Sequence, residues 1–338
     1  MAIVIRSGFW LALVAGTALC LAVSVAQAAR VSGLYEAEVA YQGGRDEGFR
    51  AALGEVLVRM TGRRDVTDRP AVAPLLDDAA AYMQQFRQLG PDRLWVAFDG
   101  TALERALGQL GQPIWGTERP STLLWIAVDA GGGKRFVVGS TADFEEEAEI
   151  HAAIVEVANR RGLPLVFPLM DAEDRERASF AEVWGGFEDS IRAASERYGV
   201  DAVLVGRLAA EDMGHGRWTL YGVDGEERWS GGAADSIDRL ADRFAARFAV
   251  VSSGDTRTVQ LAVSGVTSIE DYGRVSRFLS GLTAVESLAV ESVERDQVVF
   301  RVAMRGEPAT LDEAVRLGGV LQAAGQPGRQ PLEYRVTR

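Results

Sequence analysis

The sequence contains little of the side-chain chemistry on which most enzymes rely. Its 338 residues include one cysteine, two histidines and one lysine. The cysteine, Cys20, lies in an N-terminal apolar segment, so the chain beyond that segment has no thiol nucleophile and forms no disulfide. No Gly-x-Ser-x-Gly motif occurs, which is the turn that exposes the serine of many catalytic triads. These absences exclude cysteine catalysis and weigh against a serine hydrolase.

The N-terminus has the features of a secretory signal peptide. Arg6 supplies the positive charge, residues 8–25 form an apolar run, and residues 26–28 form a small-residue cleavage site. We therefore predict that residues 1–28 are a signal peptide, that cleavage occurs before Ala29, and that the protein is periplasmic.

Two alternatives to a cleaved signal follow from the same segment. The apolar run of about 18 residues approaches spanning length and could be retained as a membrane anchor. Cys20 suggests a lipoprotein, but Leu19 stands where lipidation signals require glycine or alanine. No later segment is as long and apolar, so we predict no membrane span after cleavage.

The chain carries an excess of acidic residues. Its formal net charge is −12, and it becomes −13 once Arg6 is removed with the signal peptide. We see no basic stripe that would attract a phosphate backbone against this field, so we predict that nucleic acid is not a partner.

Changes in pattern divide the exported chain into three domains, at residues 29–115, 121–251 and 256–338. Periodicity predicts strands and helices in each. In the first, strands at 34–40 and 94–98 accompany helices at 49–60, 72–86 and 103–110. The second has strands at 123–128, 135–138, 163–167, 201–208, 217–223 and 226–230, and helices at 145–161, 187–198 and 237–250. The third reads strand 259–263, helix 269–282, strands 285–293 and 297–304, helix 311–323 and strand 332–336.

This pattern predicts an α/β (α+β) fold built from three small mixed-sheet modules. The order in the third is βαββαβ, which is ferredoxin-like. The segment 116–120 reads as a linker.

Residues with catalytic or metal-binding potential have ordinary structural interpretations. His151 and His215 are predicted to be solvated surface residues. The run from Gly131 to Lys134 resembles part of a phosphate loop, but it joins two strands rather than opening a helix, so we interpret it as a hairpin turn. Acidic runs at 145–149 and 171–176 lack calcium-loop spacing and are predicted to be solvated. We predict no catalytic residue, no metal and no cofactor.

Aromatic residues are concentrated in the middle domain. Most of its tryptophans are expected to pack in the core. Trp184 differs because two glycines and Phe187 follow it, and a tryptophan in such a setting can be an exposed anchor in an interface. We predict Trp184 and Phe187 as partner-binding residues.

Several segments resemble the bacterial family of domain of unknown function 2066. This family has exported members and no assigned activity, so the resemblance implies an exported, non-enzymatic protein. The residues that carry it lie at positions 34–39, 52–59, 61–64, 94–99, 113–116 and 198–207.

The middle domain also looks like the amino-terminal domain of TolB and of related curli-secretion and penicillin-binding-protein-activator lipoproteins. Residues 198–207, the hairpin at 218–229 and the helix after it carry this resemblance. Those relatives bind other proteins in the cell envelope, and they have no catalytic residues to transfer.

Two functions are consistent with these observations. The first is a non-enzymatic periplasmic adaptor or assembly factor that binds an envelope protein. The second is a carboxylate-dependent hydrolase of an envelope glycan, which would need two facing acids in a deep cleft, one with a raised pKa. A small-ligand binder is a third class, but no motif supports it.

Overall fold

The structure is a computed structural model that describes residues 29–31, 33–222, 225–251, 257–326 and 329–337. The predicted signal peptide, residues 1–28, lies outside the described residues. Within the described ranges, no helix is both long and apolar enough to cross a bilayer.

The N-terminal region packs one long helix on a three-stranded antiparallel sheet. Its elements are β1 (Ala29–Arg30), β2 (Glu36–Ala40), α1 (Arg45–Thr61), α2 (Ala73–Asp77), β3 (Met83–Gln88), β4 (Arg93–Phe98), α3 (Gly100–Gln109) and β5 (Pro113–Ile114). The sheet order is β2-β4-β3. The apolar face of α1 contributes Leu53, Val56 and Leu57 to a buried cluster shared with the sheet.

The predicted helix at 72–86 is wrong in its last four residues, which belong to β3 and follow a 3₁₀ turn at Ala79–Tyr82. A β-bulge between Met83 and Gln85 shifts the register, so that Met83 pairs with Phe98 and Phe86 pairs with Val96. Because of the bulge, Met83 and Phe86 lie on the same face of the strand although they are three positions apart in sequence. That spacing is also the spacing of a helix, which explains the error.

The middle region contains a six-stranded mixed sheet with helices on both faces. Its elements are β6 (Glu118–Arg119), β7 (Thr122–Gly131), β8 (Lys134–Val137), α4 (Glu145–Arg161), β9 (Leu165–Val166), α5 (Ala172–Arg177), α6 (Phe180–Gly185), α7 (Glu188–Ser195), β10 (Ala202–Ala209), β11 (Arg217–Gly222), β12 (Gly225–Ser230), α8 (Ala233–Phe248) and β13 (Val250–Val251). The sheet order is β12-β11-β10-β7-β8, and β9 also pairs with β7. Strand β7 is parallel to β9 and β10 and antiparallel to β8. One apolar cluster includes α4 and α8, and the other includes α6 and α7.

The C-terminal region has the predicted strand and helix order with one addition. Its elements are β14 (Arg257–Ser264), α9 (Ile269–Gly281), β15 (Val285–Glu294), β16 (Gln297–Met304), α10 (Pro308–Leu317), β17 (Leu321–Ala323) and β18 (Leu332–Val336). The sheet order is β15-β16-β14-β18-β17. The predicted helix at 311–323 is too long, because Gly319 with φ 62° follows α10 and the chain then forms β17. This extra strand reverses the chain, so β18 runs parallel to β14.

These elements confirm the predicted mixed α/β class. Buried apolar residues form one cluster in the N-terminal region, two in the middle and one in the C-terminal region. The boundaries 29–115, 121–251 and 256–338 stay a prediction.

The segment predicted as a linker contains a fully buried arginine, Arg119. Its strand β6 pairs with β1. The guanidinium uses all five of its N–H donors on backbone carbonyls, at distances of 2.7–3.0 Å. The acceptors belong to Arg59, Trp115, Gly116, Arg161 and Gly162. Residues 116–120 are therefore a joint that ties α1 to α4 and not a free linker.

Burial and two neighbouring arginines affect the charge of Arg119. Desolvation lowers its pKa to about 9, and the charges of Arg59 and Arg161 act in the same direction. The group therefore remains protonated at neutral pH. Its guanidinium also lies 3.9 Å from the centroid of the Trp115 ring, which adds a cation–π contact.

Candidate functional site

A buried aspartate organises the loop before α5. Asp174 is fully buried although it lies in an acidic run. Its carboxylate accepts hydrogen bonds from the Tyr198 hydroxyl at 2.5 Å and from Arg197 at 3.2 Å. Burial and the bond to Asp174 raise the pKa of Tyr198 to about 12. The predicted solvated face at 171–176 is therefore wrong for this residue.

Asp171 completes the same network at the surface. Its side chain caps α5 by accepting from the backbone N–H of Asp174 at 3.0 Å, and it receives two bonds from Arg197, both 2.9 Å long. The Arg197 bond holds the pKa of Asp171 at about 2. Because this value lies below that of an unfolded aspartate, the stabilisation exists at neutral pH and is lost as the pH falls from about 4 to about 2.

The network fixes the loop at residues 168–171 in a strained conformation. The N–H of Met170 donates to Asp174 at 2.9 Å, and the N–H of Leu169 donates to the Tyr198 hydroxyl at 2.8 Å. Met170 has φ 52°, in the left-handed region that side chains other than glycine rarely adopt. Leu169 remains 55% exposed. Strain of this kind is concentrated at functional sites and persists only where the surroundings impose it.

A pocket of about 310 Å³ opens beside this loop, and we name it the anchor pocket. Its apolar lining combines Leu169 and Met170 with three phenylalanines, Phe136, Phe144 and Phe180. The side chain of Phe144 is itself exposed. The volume of the anchor pocket is at the lower end of the range for small-molecule sites and is enough to hold one large apolar side chain.

Arg175 supplies a positive charge at the anchor pocket. Its side chain is exposed, and among the described residues no ion pair of its guanidinium is found. The pocket thus combines apolar side chains with an available cation and with two acids, Asp143 and the buried Glu147.

The two predicted partner-binding residues, Trp184 and Phe187, lie at and just after the C-terminal end of α6. The first residue of this helix, Phe180, lines the anchor pocket. Trp184 is half-buried and stacks on Phe180, with ring centroids 5.4 Å apart and planes at 20°. Phe187 is 59% exposed. The structure thus links Trp184 to the pocket through Phe180 and leaves Phe187 open to solvent. Their role in binding stays a prediction.

The two glycines between these aromatic residues have packing reasons. A Cβ atom on Gly185 would lie 2.6 Å from the Phe187 ring. A Cβ atom on Gly186, which has φ 69°, would lie 2.5 Å from the Arg207 guanidinium. Glycine at both positions therefore lets Phe187 fold against the end of α6 while one face of its ring stays exposed.

The histidines differ in their surroundings. His215 is exposed and pairs with Asp212 at 2.6 Å, as expected for a surface residue. His151 is half-buried, and its ring lies 4.1 Å from the ring of Phe167, so the prediction of a solvated side chain is wrong. The predicted hairpin at 131–134 joins the antiparallel strands β7 and β8. Among the described residues, no group of three acids, histidines or cysteines is arranged to hold a metal.

Two acids on α1 line one pocket of about 410 Å³, which bears on the hydrolase hypothesis. Burial raises the pKa of Glu55. Glu47 lies two helical turns earlier, about 12 Å away along the axis. The Glu47 carboxylate lies close to Gly43, since a Cβ atom added to Gly43 would be 2.8 Å from the carboxyl carbon of Glu47. Catalytic carboxyl pairs are about 5–9.5 Å apart, so this pair does not have the required geometry.

Asp201 is the second acid with a raised pKa, caused mainly by burial. Its carboxylate accepts from the N–H of Ser121 at 2.7 Å and from the Ser121 hydroxyl at 2.8 Å. Asp201 lines two pockets, a crevice of about 80 Å³ and a second pocket of about 390 Å³, and the second lies within the range of about 300–1,000 Å³ for ligand sites. These contacts join the start of β10 to β7.

We expect Asp201→Asn to stabilise the protein at neutral pH. The pKa of Asp201 is higher in the folded state than in the unfolded state, so its protonated form favours folding. This contribution to stability is lost as the pH rises above the pKa of the unfolded state. Asparagine keeps the acceptor oxygen and carries no charge. Thermal unfolding should give a higher Tm for the variant at pH 7, with the difference shrinking toward pH 3. A difference that grows on acidification would contradict this assignment.

A family model matches residues 28–116, and its description is "Domain of unknown function (DUF8605)". The resemblances to domain of unknown function 2066 and to TolB are therefore wrong, since the matching family is a different one and covers only the N-terminal region. No curated protein matches the chain.

Among solved structures, one match is prolyl-tRNA synthetase from Cryptosporidium parvum complexed with halofuginone and AMPPNP. It is 10% identical, and the match covers 62% of this chain and 46% of that chain, with a TM-score of 0.23. A TM-score this low does not define a shared fold, so no inference about function is drawn from it.

Proposed function

We propose that this protein is a non-enzymatic periplasmic adaptor that binds an envelope protein through the anchor pocket and Phe187. The occupant is a segment of the partner that presents one large apolar side chain beside an acidic residue. The periplasmic location rests on the predicted signal peptide at residues 1–28.

The strained, solvent-facing loop at the pocket is the observation that carries this proposal. The N–H of Leu169 donates to the half-buried Tyr198 and the N–H of Met170 donates to the buried Asp174, so the loop is ordered before any partner arrives. A pre-organised apolar surface binds with a smaller entropic penalty than a mobile one. Exposed Phe144 and Phe187 extend the apolar area beyond Leu169.

Charge supports the choice of occupant. The apolar side chains of the lining fit an aliphatic or aromatic anchor residue. The free guanidinium of Arg175 fits a carboxylate on its own side of the pocket, because Asp143 and Glu147, which also line it, repel one. Aromatic anchors that fill pockets of this kind contribute a large share of the binding energy in protein interfaces.

Site-specific crosslinking in living cells tests this proposal. A photoreactive amino acid at position 169 should give one defined envelope-protein adduct, and the same amino acid at Ile269 should not. Ile269 is a suitable control because it is 87% exposed and lies on α9 in another region. The purified partner should then bind the purified protein directly. Equal adducts at both positions, or none at 169, would refute the pocket as the docking site.

We expect Phe187→Ala to weaken binding of the identified partner by about 2 kcal/mol or more, as is usual for a central aromatic residue. Because Phe187 is largely exposed, the variant should unfold at nearly the wild-type temperature. Calorimetric titration measures the affinity, and Ile269→Ala serves as the control. Unchanged affinity would remove Phe187 from the contact surface.

The hydrolase alternative has its own test. Glu55→Gln and Asp201→Asn remove the two acids whose pKa values burial raises. Cell-wall glycan hydrolysis by the wild-type protein that either substitution abolishes would replace the adaptor proposal with an enzymatic one.

A further inference from the structure

A cleft of about 690 Å³, separate from the anchor pocket, lies where the end of α1 meets α8. Small side chains form part of its wall, those of Ala245 and Ala246 at the end of α8 and that of Ala249 just after it. Gly62 has φ 67°, and a Cβ atom there would lie 2.2 Å from the Cβ of Ala245. Glycine is therefore needed for the approach of α1 to α8 that shapes the cleft. This cleft shares no lining residue with the anchor pocket.

Three arginines and two aspartates line this cleft. Arg63 makes two bonds of 3.0 Å to Asp65, and Arg69 makes one of 3.0 Å to the same carboxylate. Arg64 bonds to Asp242 at 2.7 Å. The cleft thus has a surplus of positive charge on a chain whose net charge is −12.

The two carboxylates, Asp65 and Asp242, each accept hydrogen bonds from two arginines. Asp65 is shared by two guanidinium groups, and the Arg63 bond helps to hold its pKa at about 2. Asp242 also accepts from the buried Arg161 at 2.5 Å. Most N–H donors of the three cleft arginines remain available, since each guanidinium has five and the bonds to Asp65 and Asp242 use one or two of them.

Two buried polar atoms of residues that line the cleft have no hydrogen-bond partner among the described residues. One is Nε of Arg69, which is a donor, and the other is Oε1 of Gln112, which is an acceptor. Gln112 is only 7% exposed. Buried polar groups are normally paired, so the wall of this cleft keeps unused hydrogen-bonding capacity.

We propose that this cleft binds an oxyanion, either a phosphate group or a carboxylate. Both groups present oxygens that accept from the guanidinium N–H donors of Arg63, Arg64 and Arg69 that the bonds to Asp65 and Asp242 leave available. The site is independent of the adaptor proposal, because it uses different residues and a different ligand chemistry.

Titration calorimetry of the purified protein with inorganic phosphate and, separately, with N-acetylglycine tests the site. We expect saturable binding of at least one probe that weakens as salt is added. Binding of phosphate alone identifies a phosphate site, and binding of N-acetylglycine alone identifies a carboxylate site. Failure of both probes to bind saturably would overturn the proposal.

Variants then locate the binding. Arg64→Gln should weaken it about tenfold, which is the loss expected for one charge-assisted hydrogen bond. Arg192→Gln is the matched control, because Arg192 is also exposed and also forms a 2.7 Å ion pair, with Glu188 on α7. Equal weakening in the two variants would place the anion elsewhere and overturn the proposal.

A substitution with the opposite expected sign separates binding from folding. Asp65→Asn removes a carboxylate that competes for Arg63 and Arg69, so it should strengthen oxyanion binding several-fold. A residue that only held the loop together would weaken binding or leave it unchanged when replaced. Weaker or unchanged binding by Asp65→Asn, in a variant whose circular dichroism matches the wild type, would therefore refute the oxyanion site.

Discussion

Replacing Arg119 with methionine is expected to lower the free energy of unfolding by about 5 kcal/mol. The substitution leaves five buried carbonyl oxygens without their guanidinium donor, and each unpaired buried acceptor costs about 1–3 kcal/mol. Part of this loss is offset, because a buried charge is also removed. Since globular domains are stable by only about 5–15 kcal/mol, the variant should be close to unfolded. Urea denaturation followed by tryptophan fluorescence measures the effect.

Arg192→Met is the control for Arg119→Met. Arg192 is exposed, and its single ion pair should be worth less than about 1 kcal/mol. If the two variants lose similar amounts of stability, the joint at residues 116–120 contributes less to the free energy of unfolding than its hydrogen bonds indicate. A large loss confined to Arg119 would show that the joint stabilises the contact between α1 and α4.

The burial of Arg119 could not be predicted from its neighbours in the chain. The surrounding glycine and proline favour a loop, and charged side chains are rarely fully buried. Three of the five acceptors, those of Arg59, Arg161 and Gly162, lie 40 or more residues away in sequence. Local patterns contain no information about such partners.

Elements with clear end signals were predicted best. The helix expected at 145–161 is α4, Glu145–Arg161, with acidic residues in its first turn and arginines in its last. Two short helices, α5 and α6, were missed, although signals for both are present. Asp171 caps α5, and Ser179 with Glu182 forms a capping box at α6.

The candidate site could be predicted only in part. Trp184 and Phe187 drew attention because glycines separate them. Phe144 and Leu169 could not be assigned to the same surface from sequence, because these two residues lie 25 positions apart in the chain. Asp174 was hidden in an acidic run, where composition favours a solvated side chain and only its tertiary contacts reveal a buried one.

Asp174→Ala is expected to release the loop that forms the anchor pocket. It removes the acceptor for the Met170 N–H, the Tyr198 hydroxyl and one Arg197 bond; the first two donors are left unpaired, whereas the Arg197 guanidinium keeps its two bonds to Asp171. We expect a loss of about 3 kcal/mol in the free energy of unfolding, since unsatisfied buried groups cost about 1–3 kcal/mol each. Freed from these bonds, Met170 should leave the left-handed conformation. Limited proteolysis should then cut the variant at residues 168–171, and we expect the wild-type loop to resist cleavage there.

Asp171→Ala is the matched control for the loop. It removes two bonds from the same Arg197 and the cap of α5, but among the described residues the Asp171 side chain accepts no hydrogen bond from the backbone N–H of Met170 or Leu169. Loss of a helix cap costs about 1 kcal/mol, so this variant should be mildly destabilised and should resist proteolysis at 168–171. If Asp174→Ala behaves like Asp171→Ala, the buried carboxylate does not hold the loop. If only Asp174→Ala becomes sensitive and also loses the partner crosslink at position 169, loop order is a requirement for binding.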